Sequence, residues 1–302
     1  MRCWTRRQIL KSLAVGSLGA SWLTGRRLSA SAEPPSVPSG AIVRGGDAAE
    51  QVRQAIKALG GMSRFVQSGQ NVVIKPNIGW DRSPEQAATT NPQVVAEIAR
   101  LARDAGAERV RVMDHTCNDP RRCYKHSGIE EAAEAAGAEV IHLRKGRGQE
   151  VEINGRLVKR WPVFREVLEA DVLINVPIVK HHGLCRATLG MKNWYGAIDG
   201  RRAQLHQEVP QSSVDLAVFF RPALTVLDGI RILLRNGPQG GNLDDVAHPG
   251  VLMAGTDPVA IDAFGGSLLN LTPEDLPHLA LAEQAGLGSA KLDRADILTI
   301  DL

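Results

Sequence analysis

Short apolar runs of strand length recur along the chain with helical patterns between them, and this alternation leaves few folds open. "NVVIKPN" (71–77), "RVRVMD" (109–114), "AEVIHL" (138–143), "ADVLINV" (170–176), "ALTVLDG" (223–229), "GVLMAG" (250–255) and "DILTIDL" (296–302) read as strands. Helical spacing fills 48–62, 91–106, 128–137 and 257–269. Asn91 and Asp257 stand at helix caps, each followed by a proline at the first helical position. The predicted class is α/β, a mostly parallel sheet flanked by helices. The Asn154-Gly155 pair between two alternating runs predicts an inserted hairpin, and the segment around 183–222 reads as a second, longer insertion.

In open sheets of this kind, ligands bind beyond the carboxyl ends of the strands. Five strands release polar residues there: Lys75 and Asn77; Asp114, His115 and Cys117; Lys180, His181 and His182; Asp228; and Thr256 with Asp257. Loops are polar in any case and aspartate is a common cap, which covers Asp257 and, through a turn with Gly229, Asp228. It does not cover lysines so near the ends of two buried strands, since each ammonium needs a carboxylate or an anionic ligand.

The first 32 residues stand apart. Twin arginines (Arg6, Arg7), a moderately apolar stretch and "ASA" (30–32) follow the order of a Tat export signal, and 33–40 reads as a linker before a single domain over 41–302. The expectation is an exported, periplasmic protein that meets the Tat translocase in transit. The whole chain has 36 basic and 33 acidic residues. Without the six basic residues of the leader the balance is 30 against 33, so the basic pI is no argument for nucleic acid. No later apolar run approaches the roughly 20 residues that span a bilayer.

Beyond the leader lie Cys117, Cys123 and Cys185, too few for a disulfide framework and without the spacing of an iron–sulfur site. Cys117 and Cys123 are expected to share a loop at the ligand edge, as a disulfide or as metal ligands. The segment after 176 collects Lys180, His181, His182, Cys185, Thr188, Lys192, Asn193 and His206. Adjacent histidines point in different directions on a regular backbone, so one of them with Cys185 or His206 is the better metal pair; a metal ion is thus a candidate cofactor. Lys192 and Asn193 beside Gly190 and Gly196 suit an anion cradle. No GxGxxG or Walker A run follows a strand.

The ordered set "VVIKPNIG", "TTNPQVV", "VMD", "VPIVKHHG", "TLGMKNWYGAI", "RPALTVLDGI" and "AGTDPVAIDA" resembles the bacterial and archaeal proteins grouped as domain of unknown function 362, over roughly residues 70–270. The resemblance marks Lys75, Asn77, Thr90, Asp114, Lys180, His182, Lys192, Asn193, His206, Asp228, Asp257 and Asp262 as the site. Many relatives carry a ferredoxin-like module with clustered cysteines, and this sequence has no such cluster. Two functions follow. One is an enzyme-like protein, with a metal- or cofactor-dependent oxidoreductase among the candidates, that binds a small anionic cofactor or substrate through its lysines, with His182, His206 and Asp114 as catalytic groups. The other is an accessory protein that captures an anion or metal without turnover.

Overall fold

The computed structural model describes residues 37–293 and 296–302. The expected export signal and residues 33–36 of the linker lie outside them; the first strand begins at Gly40, at the end of that linker.

Eleven strands form one sheet. Its spine comprises β1 (Gly40–Arg44), β2 (Asn71–Pro76), β3 (Arg109–Asp114), β4 (Glu139–His142), β7 (Val172–Val176), β10 (Leu224–Leu233), β12 (Val251–Gly255) and β13 (Ile297–Asp301). They lie in the order β13-β1-β12-β10-β7-β2-β3-β4. Neighbours are parallel throughout, except that β12 runs antiparallel to both β1 and β10. The fold class is α/β with a mostly parallel sheet, as the alternation predicts.

Alternating residues of each strand feed separate cores. Val72 and Ile74 of β2 join the core made with α1 (Ala48–Ala58) and α2 (Pro92–Asp104). Val73 joins the other, with Trp194, Phe264 and Phe220. Both faces are thus covered, which accounts for strands that read as unbroken apolar runs. Asn91 caps α2 by accepting from Gln93 N, with Pro92 at the first helical position.

Three features depart from the sequence reading. First, the chain does not enter a loop after β7: past Pro177 it continues as β8 (Ile178–His182), which pairs with the far half of the ten-residue β10 and with β9 (Arg186–Thr188). Second, the inserted hairpin, β5 (Gly148–Glu152) and β6 (Arg160–Phe164), turns through 153–159 rather than at Asn154-Gly155 alone. Asp215 holds this wider turn by accepting from the backbone N–H groups of Arg156, Leu157 and Val158. Third, the 183–222 segment contains α6 (Gly190–Asn193) and the buried α7 (Val209–Phe220), a helix with few solvent-facing residues and so little amphipathic signal.

Candidate functional site

Lys75 is the last but one residue of β2 and lies in register with Asn175 on β7. Its side chain is 1% exposed. Nζ pairs with Asp114 Oδ1 at 2.7 Å and donates to Pro76 O (2.7 Å) and Asn193 Oδ1 (2.9 Å). Asp114 Oδ2 accepts from Ile78 N at 2.6 Å. Burial pushes the Lys75 pKa down, and Asp114 opposes it.

Asn193, at the end of α6, organises the strand ends. Its Oδ1 also accepts from Asn77 Nδ2 (3.0 Å), while its Nδ2 donates to Asn175 Oδ1 (2.9 Å) and Lys75 O (3.2 Å). Gly196 follows closely. A Cβ there would stand 1.7 Å from Asp114 Oδ1 and 2.6 Å from Lys75 Nζ, so only glycine lets this backbone approach the ion pair.

The other two lysines differ from Lys75. Lys180 is equally buried, yet among the described residues its ammonium meets no carboxylate. It donates to Ala88 O (2.6 Å) and Asn77 Oδ1 (2.9 Å). Burial pushes its pKa down to about 7, against the opposing pull of Cys117 and Asp114 and with Lys75 and Lys192 adding to the fall. Lys192 is partly buried, with Nζ 3.3 Å above the centre of the Tyr195 ring and 3.4 Å from His206 Nε2. Its pKa is pushed down to about 8, mainly by burial. It too lacks a carboxylate partner among the described residues.

Lys75, Lys180 and Lys192 line one cavity of about 940 Å³, together with Asn77, Asp114, His182, Asn193 and His206. Lys145, Arg201 and Arg202 add three more cations, and Asp114 is the sole carboxylate on the wall among the described residues. Such a wall favours an anion.

The histidines are neutral acceptors and donors. His182 Nδ1 accepts from Leu184 N (3.1 Å), which leaves the proton on Nε2; burial and the nearby lysines push its pKa down to about 3. His206 Nδ1 donates to Arg202 O (3.1 Å), so Nε2 faces Lys192 as an acceptor. Its pKa is also lowered, first by burial. The two rings stack at 6.2 Å. At neutral pH the His182 imidazole is therefore held neutral, with an N–H at Nε2 to donate.

Several expected ligands stand behind the wall. Thr90 Oγ1 accepts from Asn77 N (2.8 Å) and donates to Val176 O (2.7 Å), tying β2 to β7. Asp228 accepts from Asn91 N (2.7 Å) and Ile230 N (3.0 Å), and burial raises its pKa to about 6. Asp262 receives Gly190 N (2.6 Å), Met191 N (3.2 Å) and His278 Nε2 (3.1 Å), fixing the start of α6. These three hold the site together from outside the cavity.

Asp257 is elsewhere. Because β12 runs against its neighbours, its carboxyl end opens at the opposite edge of the sheet. Asp257 there caps α8 (Pro258–Ser267), accepting from Val259 N and Ala260 N, and holds Ser289 N. The metal set is not assembled either. His181 accepts from Gly237 N, Cys185 donates to Ala187 O, and neither lines the cavity with His182 and His206. Among the described residues no three His, Cys, Asp or Glu side chains converge on a metal position. Cys117 and Cys123 are both free thiols: Cys117 is exposed at the cavity wall, and Cys123 is buried in α3 (Pro120–His126), where burial pushes its thiol up to about 11.

Sequence reasoning missed Asn175 and Arg202, and it placed His115 at a strand end without marking it as a site residue. Asn175 was visible as one amide inside a buried apolar strand, a group that must find partners. His115 Nδ1 donates to Ile198 O (2.9 Å), and Arg202 donates to His115 O and Thr116 O.

The residues thus define an α/β protein with a cation-rich cavity beyond the carboxyl ends of parallel strands. The chain belongs to the DUF362 family (domain of unknown function), whose model matches residues 72–266. It is 30% identical over 244 residues to the thylakoid-associated protein sll1697 of Synechocystis sp., covering 78% of this chain and 74% of that one. Among solved structures, the lactate racemase apoprotein from Thermoanaerobacterium thermosaccharolyticum aligns with a TM-score of 0.41 and 12% identity over 74% of this chain, which spans 55% of that protein's length.

Proposed function

We propose that the strand-end cavity binds a small anion bearing phosphate or carboxylate groups, and that the chain is an enzyme-like protein acting on it. The observation that carries this reading is that Lys180 and Lys192, neither with a carboxylate partner among the described residues, share the wall of one cavity. A buried ammonium without a counter-charge is costly, and an anion between the two would supply the missing charge. Lys75 and Asp114 form a neutral pair that holds Asn193 and leaves the net positive charge to the other cations. Lys180, its pKa pushed down to about 7 by burial, is the group poised to give or take a proton at neutral pH. Neutral His182 would donate from Nε2 and His206 would receive from Lys192.

Calorimetric titration of the natively purified protein with pyrophosphate at pH 7 tests the reading, with micromolar binding expected and absence of binding contrary to it. Export by the twin-arginine route belongs to the same proposal, on the order of Arg6, Arg7, the apolar stretch and "ASA". Changing both arginines to lysine is expected to leave unprocessed precursor in the cytoplasm, as seen by fractionation; normal periplasmic delivery would refute export by this route.

A further inference from the structure

A second cavity of about 250 Å³ adjoins the first, with Leu184 and Lys192 lining both. Its wall is mostly apolar, from Leu184, Ala187, Leu189, Val209 and Pro210. Most of the polar groups on that wall are already engaged. Cys185 Sγ donates to Ala187 O, Arg186 pairs with Asp275 at 2.8 Å, and His278 holds Asp262. The Ser213 hydroxyl is the exception: it is buried and meets no hydrogen-bond partner among the described residues, one polar point on an otherwise satisfied wall. Leu184, at the joint between the cavities, is 74% exposed, an apolar side chain left in water where the two spaces meet.

We infer that the anion of the main cavity carries an apolar group, which this second cavity takes, with Lys192 at the junction holding the charged end. The inference rests on the anion-binding reading above and narrows its substrate class to an amphipathic anion. A dry cavity of about 150 Å³ is enough for benzene, so about 250 Å³ accommodates an aromatic ring or a chain of roughly six carbons. Contact with Leu184 would also remove its exposed surface from water.

The test compares methyl phosphate with n-hexyl phosphate by calorimetry on the full chain. Each buried methylene is worth about 0.8 kcal/mol, roughly fourfold in affinity, so even partial entry of the chain is expected to make hexyl phosphate at least about tenfold tighter. Ala187→Leu, which fills the second cavity, should bring hexyl phosphate back to the methyl phosphate value while leaving methyl phosphate unchanged. If that variant does not fold, Val209→Phe fills the same space from α7 and should do the same. Equal affinities for the two phosphates in the unmodified protein would overturn the apolar inference and leave the anion site standing. Binding of neither would overturn both. A hexyl advantage that survives the filled cavity would place the chain elsewhere and overturn the inference alone.

Discussion

The site is built on contacts that tolerate almost no added volume. Gly196 shows this most sharply, because a single methyl group there meets both members of the Lys75–Asp114 pair. Gly196→Ala should force the pair apart and leave charges buried without partners. The expected cost is about 2–4 kcal/mol of stability, together with loss of pyrophosphate binding. Denaturant melts with a binding titration check it, and a variant of unchanged stability would show that the ion pair is more adaptable than its geometry implies. Asn193 illustrates the same economy without charge: one amide joins Lys75, Asn77 and Asn175. Its oxygen accepts from an ammonium and an amide together, a role an aspartate would meet only by adding a second carboxylate beside Asp114.

At the scale of elements, direction decides which residues share an edge. Asp257 follows a strand just as Asp114 does, yet β12 is reversed and carries it to the other edge. Asp257→Ala should therefore cost about 1–2 kcal/mol through the lost cap of α8 and leave pyrophosphate affinity unchanged. A comparable loss of affinity would contradict this placement. The strands at 71–76, 109–114 and 172–176 were legible because an apolar run bounded by polar residues is a local signal, and so was the cap of α2. The direction of β12 was not, since an apolar run reads the same in either orientation and only its pairing distinguishes them. The passage of the chain through Pro177 into β8 was hidden for a related reason: "IVKHH" places polar groups where a half-overhanging strand meets the cavity. Lys75, Asn77, Asp114, Lys180, Lys192 and Asn193 were singled out from the sequence and do meet. Asp228 and Asp262 were singled out too, but their carboxylates are consumed by backbone N–H groups, which no spacing reveals.

Over the whole molecule, the charge arrangement couples the site to pH. Lys180 and Lys192 titrate at about 7 and about 8 in the folded protein, against an ordinary 10.5. Between those values the unfolded chain holds protons that the folded chain has released, so raising the pH favours the folded state. The ligand-free protein should melt at progressively higher temperature from about pH 7 to about pH 8.5, above which unfolded thiols and then tyrosines release protons that buried Cys123 and Tyr124 keep in the folded chain. Anion affinity should move the other way, weakening as the two ammonium groups lose their protons. Melting temperatures and titrations across that range check both signs, and a parallel fall of stability and affinity would oppose the assignment of lysines without a carboxylate partner.

The most direct measurement concerns Lys180 itself. Lys180→Met keeps the aliphatic stem and removes the charge, and pyrophosphate titration with a thermal melt at pH 7 gives two readouts. If the lysine waits for an anion, affinity should fall about 10- to 100-fold, as the about 1.5–3 kcal/mol of a charged hydrogen bond implies, while the ligand-free protein melts at the same temperature or higher. If affinity is intact and the melting temperature drops by several degrees, Lys180 serves the fold rather than a ligand, and the anion site is wrong.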